Sequence, residues 1–227
     1  MSNLDEKLKE YVESQFFTPD NSVYHYTKEP SYCEIFRCEY LKLNSHFFLN
    51  EKDKTNKELQ TSAQLIINEL KKESEFINLI DRFEKFIEHG ITCYTLSLST
   101  SKSVFTANKY GNYCIEFDSK LFKKFQSSHN LTLFSQVEYD KKKQESIISK
   151  IFEIYKQWKS SDNDPIVPLF TWLIIVIPLF KGEEHKNDDE CRLIQVELYY
   201  PDGKIMPPLA SKKIIFSHSD VIGVTRE

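Results

Sequence analysis

The sequence predicts a single α+β domain, because strands and amphipathic helices follow one another without the regular βαβ alternation of a doubly wound fold. Its 227 residues suit one domain, or one domain with a small appendage. A hydrophobic content of 40% beside 28% charged residues is sufficient for a packed core and argues against disorder. We divide the chain into an N-terminal amphipathic helix and turn, residues 1–22, and one α+β domain, residues 23–227.

Hydrophobic periodicity predicts the elements of the first half of the chain. Apolar residues recur at helical spacing over residues 2–17, and a turn then leads into a short strand over residues 23–26. A capping box of Ser31 with Glu34 predicts a short helix that begins after Pro30 and carries Leu41. The remaining predictions for this half are a strand or strand edge at 46–50 and helices at about 56–72 and 74–89.

Strands dominate the second half of the chain. Alternating and β-branched runs indicate strands, and the one long amphipathic run indicates a helix. The predicted elements are strands at 91–99, 112–118, 133–140 and 191–200, a helix at 141–159, and two C-terminal extended pieces, KKIIFS and VIGVT. No internal repeat or long linker interrupts this order, which favours one domain of the catalytic type over residues 23–227.

The most apolar stretch is PIVPLFTWLIIVIPLF, residues 165–180. It is shorter than the roughly 20 residues that a membrane-spanning helix requires, and three prolines interrupt it. We therefore expect a buried segment that is helical from about Pro168 and ends at Pro178.

The composition argues against several classes of site. With only 5 glycines, the chain contains neither G-x-G-x-x-G nor G-x-x-x-x-G-K-[ST], so a Rossmann or P-loop nucleotide site is not expected. Five cysteines without C-x-x-C spacing and six dispersed histidines predict no metal site and no disulfide framework. The charged start MSNLDEKLKE has no apolar signal region, and we expect a protein of the reducing cytoplasm that does not bind a membrane.

Three stretches carry candidate functional residues, and the first is DDECRLI. In a strand, Asp188, Glu190 and Arg192 share one face, while Cys191 and Leu193 face the other way. One interpretation is a loop–strand junction with surface ion pairs. The other is that Glu190 stays ionised beside Arg192 and accepts hydrogen bonds from a ribose or a similar polyol.

The second stretch is CYTLSLSTSKSVFTANKYG. Tyr94, Ser97 and Ser99 crowd a strand end, and Tyr110 follows a short helical turn. Such positions often carry binding residues, and the Tyr110 ring offers a flat surface for stacking. The structural alternative is that the serines satisfy loop backbone groups and Tyr110 caps a core.

The third stretch is YHYT, residues 24–27. Alternation places His25 and Thr27 on one strand face and Tyr24 and Tyr26 on the other. A face with two short polar side chains favours a binding role. A core histidine satisfied by one hydrogen bond is the alternative.

These stretches and their surroundings resemble a bacterial family known as domain of unknown function 2971, over about residues 23–224. The motifs that carry the resemblance are Tyr24-His25-Tyr26, Leu49-Asn50-Glu51, Ser97-Leu98-Ser99, Tyr110-Gly111, Glu116-Phe117-Asp118, Val137-Glu138-Tyr139 and Asp188-x-Glu190-x-Arg192. The sequence departs from the family pattern at three places. Ala107 replaces a tryptophan, Glu51-Lys52 replaces Asp-Pro, and Asp188 replaces a glutamate.

The order His-x-Thr, Tyr, Glu is also similar to the ADP-ribosyltransferase superfamily, particularly its nucleic-acid-modifying toxin branches and the RNA 2′-phosphotransferases. This resemblance implies a split, mostly antiparallel β core flanked by helices. It further implies that Glu190 is catalytic and binds the ribose 2′-hydroxyl of NAD⁺, which is a substrate. The residues expected to bind NAD⁺ are His25, Tyr26, Thr27, Tyr94, Ser97, Ser99, Tyr110 and Arg192, with Tyr110 or Tyr94 stacking on nicotinamide.

The expected function is therefore that of an NAD-dependent ADP-ribosyltransferase, a toxin or antiphage defence effector that modifies a macromolecule. Its expected partners are this acceptor, RNA and DNA being among the candidates, and an antitoxin or regulatory protein. Two alternatives stay open: a non-catalytic sensor that binds NAD⁺ or another nucleotide, and a nucleic-acid-modifying phosphoester enzyme that does not use NAD⁺. Asp188 and Glu51 could supply the converging carboxylates that metal-dependent phosphoester chemistry requires.

Overall fold

The centre of the domain is an antiparallel sheet. The computed structural model describes residues 3–46, 56–72, 74–89, 91–102, 111–158, 166–198 and 211–226. The eight strands in these residues are β1 Ser22–Thr27, β2 Tyr40–His46, β3 Ile91–Ser99, β4 Tyr113–Asp118, β5 Thr132–Gln136, β6 Glu190–Leu198, β7 Ser211–Ile215 and β8 Val221–Arg226. Their order is β5-β6-β3-β1-β4-β8, with β2 also paired to β3 and β7 paired to β2.

Helices cover both faces of this sheet. Within the described residues the α-helices are α1 Asn3–Gln15, α2 Glu29–Cys38, α3 Asn56–Lys71, α4 Ile77–His89, α5 Lys120–Ser128, α6 Lys141–Trp158 and α7 Ile166–Val176. The predicted α+β class with an antiparallel sheet flanked by helices is confirmed, as are the helices predicted near 2–17, 56–72, 74–89 and 141–159.

The larger core lies between one face of the sheet and a bundle of α1, α3, α4, α6 and α7. We call this the bundle face. The sheet contributes Cys93, Leu133, Ile194 and Val196 to it, and the apolar stripe of α1 packs in the same core. The predicted apolar segment forms α7 and the short 3₁₀ helix Ile177–Leu179, and its residues from Leu169 to Phe180 are buried. No helix in the described part of the chain is long and apolar enough to cross a membrane.

A second core fills the other face, which α2 and α5 cover. Val23, Leu96, Ile115 and Leu193 are fully or almost fully buried there among phenylalanine rings. Adjacent β6 residues therefore alternate between two cores, which explains why this strand lacks an exposed apolar face.

Four predicted boundaries were wrong, and two of them are the ends of α2. Helix α2 begins at Glu29, with Pro30 in its first turn and no side-chain cap, so Ser31 lies inside the helix. Proline is accepted there because first-turn N–H groups have no helical partner. The helix ends before Glu39, whose φ of 51° is left-handed, and Leu41 belongs to β2.

The second strand therefore begins six residues before the predicted start at 46, and residues 47–50 lie outside the described part of the chain. The strand predicted at 133–140 ends at Gln136. The Val137 N–H still donates to the Glu190 carbonyl at 2.9 Å, and Glu138 then forms an isolated parallel bridge with Phe180.

The two edges of β3 are paired differently, and this positions the candidate site. One edge pairs with β6 from Ile91 to Ser99. The other edge pairs with β2 over Cys93–Thr95 and with β1 at Ser99, opposite Tyr24. Residues 96–98 lack a strand partner on this edge among the described residues, so the sheet is open between β1 and β2.

Candidate functional site

A cleft of about 590 Å³ occupies the opening between β1 and β2. We call it the split-sheet cleft. Its lining comes from β1, α2, β2, the unpaired stretch of β3, the start of β6, and two residues that precede β6, Lys181 and Asp188. This volume lies within the range of roughly 300–1,000 Å³ that is usual for small-molecule sites.

The charged end of the cleft is a buried network around Glu190. Arg192 Nε donates to Glu190 Oε1 at 2.6 Å, and Arg192 Nη1 donates to the Pro178 carbonyl at 2.6 Å. Lys181 Nζ donates to Glu190 Oε2 and to Asp188 Oδ2, at 3.0 Å each. Both carboxylate oxygens of Glu190 are thus engaged by cations in this structure.

Lys181 is held in this network by its own backbone. The Lys181 N–H donates to the Glu138 carbonyl at 3.1 Å, which extends the bridge between residues 138 and 180. The Gln144 side-chain amide then donates to the carbonyls of Glu138 and Lys181, at 2.7 and 2.9 Å. The segment that leaves β5 therefore fixes the position of the lysine.

The turn before β6 is tied to the end of β3. Asp189 has a left-handed φ of 44° and ends the 3₁₀ helix Glu183–Asp188. Its carbonyl accepts the Thr100 N–H at 2.8 Å, and the Ser99 hydroxyl donates to the Ser101 carbonyl at 2.9 Å. Ser99 thus satisfies backbone groups of the loop, in agreement with the structural alternative for the serines. Ser97 is exposed.

Electrostatics keep Glu190 ionised in this environment. Burial opposes its charge, but the combined effect of Arg192 and Lys181 is larger, and the pKa of Glu190 is lowered. The hydroxyl of Tyr139 accepts the Glu190 N–H at 3.1 Å. Burial, reinforced by the Glu190 charge, raises the pKa of Tyr139 to about 12.

The imidazole of His25 is shielded on the β1 side of the cleft. Burial lowers the pKa of His25 to about 4, and a hydrogen bond to the backbone of Ser97 opposes this shift only partly. His25 is therefore neutral at pH 7. Its Nδ1 atom is buried and makes no hydrogen bond within the described part of the chain.

The structure brings seven of the predicted site residues to the split-sheet cleft. They are His25, Tyr26, Thr27, Ser97, Ser99, Glu190 and Arg192. It does not bring Tyr94 there: that ring is fully buried in the core under α2 and α5. Tyr110 lies outside the described residues.

These seven residues belong to two different faces of the sheet. Register pairs Glu190 with Ser99 and Ser99 with Tyr24, which places all three on the bundle face. His25 pairs with the core residue Ile115 and therefore belongs to the opposite face. The two sets line one cleft because the sheet is open between β1 and β2.

Lys181 and Tyr24 are among the residues of this cleft that sequence reasoning missed. Lys181 is the first charged residue after the long apolar run, and a basic residue at such a boundary was the available signal. Alternation places Tyr24 on the strand face opposite His25, and a site confined to one face of the sheet would exclude it.

No group of three or more His, Cys, Asp or Glu side chains is placed to hold a metal ion among the residues that the structure describes. Asp188 and Glu190 face two cations in the cleft.

Comparison with known protein families gives a match over part of the chain. The sequence model of the family described as "Protein of unknown function (DUF2971)" matches residues 103–193 and supports the resemblance to that family over this segment. The segment includes Lys181, Glu190 and Arg192 but not β1. No significant match was found among curated proteins, and none among solved structures.

Proposed function

We propose that this chain is an ADP-ribosyltransferase-like enzyme that consumes NAD⁺ in the split-sheet cleft and transfers ADP-ribose to a macromolecule, as a toxin or defence effector. One observation carries the proposal: the opening of the sheet puts His25 and Thr27 of β1 in the same cleft as Glu190 of β6. A split, mostly antiparallel core with these three residues around its opening is the arrangement that the superfamily resemblance implies.

The lining of the cleft fits the chemical groups of NAD⁺. Lys181 and Arg192 bring two cations to the cleft, and a bound diphosphate would share their charge with the carboxylates of Asp188 and Glu190. The buried Nδ1 of His25 has capacity for a ribose hydroxyl or the nicotinamide amide. Tyr24 and Tyr26 add aromatic surface at the same opening.

Glu190 would act on the ribose. In this reaction the bond between ribose C1′ and the nicotinamide nitrogen breaks, and both electrons leave with the neutral nicotinamide. A nearby carboxylate favours the oxocarbenium-like transition state electrostatically and can accept a hydrogen bond from the 2′-hydroxyl. Glu190 is already ionised, but it must give up part of its pairing with Lys181 or Arg192 to do this.

That double pairing favours a second candidate function, a sensor that binds NAD⁺ or another nucleotide without reacting. A carboxylate whose two oxygens are both engaged offers less charge to a developing cation than a free one does. In such a sensor the network of Lys181, Glu190 and Arg192 would shape the cleft without taking part in a reaction.

The decisive experiment measures free nicotinamide by chromatography after incubation with NAD⁺, with and without RNA, DNA or cell extract. We expect release by the wild type and a loss of about 100-fold or more in Glu190→Gln, the usual scale for removing one electrostatic contact to a transition state. Glu197→Gln is the matched control, because Glu197 lies on the same strand and pairs with Lys212 away from the cleft.

Circular dichroism and thermal unfolding must show that both variants are folded. Wild-type rates in folded Glu190→Gln would overturn the assignment of Glu190. Saturable NAD⁺ binding without any nicotinamide release would establish the sensor instead, and absence of both would reject both functions.

A further inference from the structure

Glu34 of α2 is a further carboxylate in the lining of the split-sheet cleft, and the proposed reaction does not use it. Strand β6, which carries Glu190, pairs with one edge of β3. Glu34 contacts β2, which pairs with the other edge of β3. Glu34 and Glu190 therefore approach one cleft from opposite sides of β3.

Two donors of β2 hold one oxygen of the Glu34 carboxylate. The Tyr40 hydroxyl donates to Glu34 Oε1 at 2.6 Å, and Lys42 Nζ donates to the same oxygen at 2.8 Å. The other oxygen, Oε2, accepts no hydrogen bond from any residue that the structure describes. This arrangement orients the carboxylate and leaves Oε2 for a ligand, whereas both oxygens of Glu190 are engaged.

The pairing of β2 with β7 fixes these two donors. Tyr40 pairs with Ile215 and Lys42 with Lys213 in the antiparallel register. The ammonium groups of Lys213 and Lys42 lie 4.1 and 5.7 Å from the centroid of the Tyr40 ring, within the range of cation–π attraction. The phenol that orients Glu34 is therefore itself held by backbone pairing and by two neighbouring cations.

Electrostatics keep Glu34 ionised. The hydrogen bond from Lys42, and next the one from Tyr40, lowers the pKa of the Glu34 carboxyl. With 42% of its side chain exposed, Glu34 is accessible from the cleft. An ionised carboxylate accepts hydrogen bonds only, so its ligand must present donors. A ribose with free hydroxyls meets this requirement, and carboxylates bind the 2′-hydroxyl in other dinucleotide sites.

We propose that Glu34 binds the hydroxyls of the adenosine ribose and makes the cleft selective for NAD⁺ over NADP⁺. The inference rests on the proposed function, in which Glu190 acts on the nicotinamide ribose. NAD⁺ contains two riboses, and the two carboxylates on opposite sides of β3 provide a partner for each. The 2′-phosphate of NADP⁺ would remove one donor and bring negative charge towards Glu34, which weakens binding.

The test is isothermal titration calorimetry with NAD⁺ and NADP⁺ separately. For the wild type we expect a Kd for NADP⁺ at least about tenfold higher than the Kd for NAD⁺, the scale of one hydrogen bond to a charged group. In Glu34→Gln the two Kd values should come within about threefold of each other, because the charge is lost while the volume is kept. Glu39→Gln is the matched control and should keep the wild-type ratio. Glu39 follows the same helix, is 48% exposed, pairs with His218 and does not line the cleft.

A second variant places the opposite charge at the same position. In Glu34→Arg we expect NADP⁺ to bind more tightly than NAD⁺, since an arginine there can pair with the 2′-phosphate. Equal affinities in the wild type, or a wild-type ratio in Glu34→Gln, would overturn the inference. A wild type that prefers NADP⁺ would overturn it as well and would assign the selectivity to Lys42 and Lys213. Failure of the proposed function would show itself separately, as selective NAD⁺ binding without nicotinamide release, and a wild type that binds neither nucleotide would overturn both.

Discussion

Replacing Lys181 by methionine tests whether the charged network at the cleft is a built part of the fold. Only 8% of the Lys181 side chain is exposed, and its ammonium group donates to Asp188 and Glu190 at 3.0 Å each. Hydrogen bonds to charged partners contribute about 1.5–3 kcal/mol each. Methionine preserves most of the side-chain volume, so the loss reports mainly on charge and hydrogen bonding.

We take the lower end of that range for each bond, because Arg192 remains on Glu190 after the substitution. The free energy of unfolding should then fall by about 3 kcal/mol, at the lower bound of what breaking a buried ion pair costs. For a domain of this size the corresponding drop in Tm is roughly 6–12 °C. Urea unfolding followed by circular dichroism at pH 7 measures the change.

Lys150→Met is the matched control for this prediction. Lys150 pairs with Glu153 on the surface of α6, where both side chains are about half exposed, at 45% and 53%. Such pairs contribute less than about 1 kcal/mol. A Lys181→Met variant as stable as Lys150→Met would show that the network around Glu190 does not stabilise the fold.

Three further predictions concern the rest of the cleft and the sheet. Because burial holds the pKa of His25 at about 4, against 6.5 for an unperturbed histidine, the unfolded chain takes up this proton first as the pH falls. The uncharged His25 ring makes its full contribution to the free energy of unfolding above pH 6.5. That contribution, as much as about 3 kcal/mol, is lost as the pH falls towards 4. Denaturant unfolding at several pH values should thus show a flatter profile for His25→Phe, and parallel profiles would contradict the burial of the ring. Gly111 has a φ of 116°, and a β-carbon there would collide with the backbone carbonyl of Thr27. Gly111→Ala should cost more than about 2 kcal/mol and disturb the β1 wall of the cleft, and an unchanged Tm would be inconsistent with this backbone. A thiol reagent should modify Cys33 and Cys38 quickly in the native protein, and the buried Cys93, Cys114 and Cys191 only after unfolding.

Local sequence patterns predicted the elements well because each pattern reports on burial of a single segment. The stripe of α1 and the alternation of β3 need no knowledge of distant residues. The wrong boundaries of α2 arose where two local signals competed. Pro30 suits the first turn of a helix as well as the residue before one, and the sequence alone does not distinguish them.

The site was only partly predictable, because it depends on an opening of the sheet. No local pattern predicts that β1 and β2 pair with the same edge of β3. Each of these pairings joins segments that lie about 50–75 residues apart in the chain. Tyr94 is a different case. In a strand it has the opposite parity to Ser97 and Ser99, so alternation alone could have assigned it to the other face.

Residue-specific nuclear magnetic resonance of the histidine rings during titration with NAD⁺ reports directly on whether the nucleotide occupies the split-sheet cleft. His25 lines that cleft, whereas His129 and His218 are exposed outside it and serve as internal controls. If the cleft is the NAD⁺ site, we expect a saturable shift of the His25 ring signals at pH 7, with the signals of His129 and His218 unchanged. His25 signals that stay fixed while NAD⁺ binds would place the nucleotide elsewhere and would be inconsistent with the proposed function.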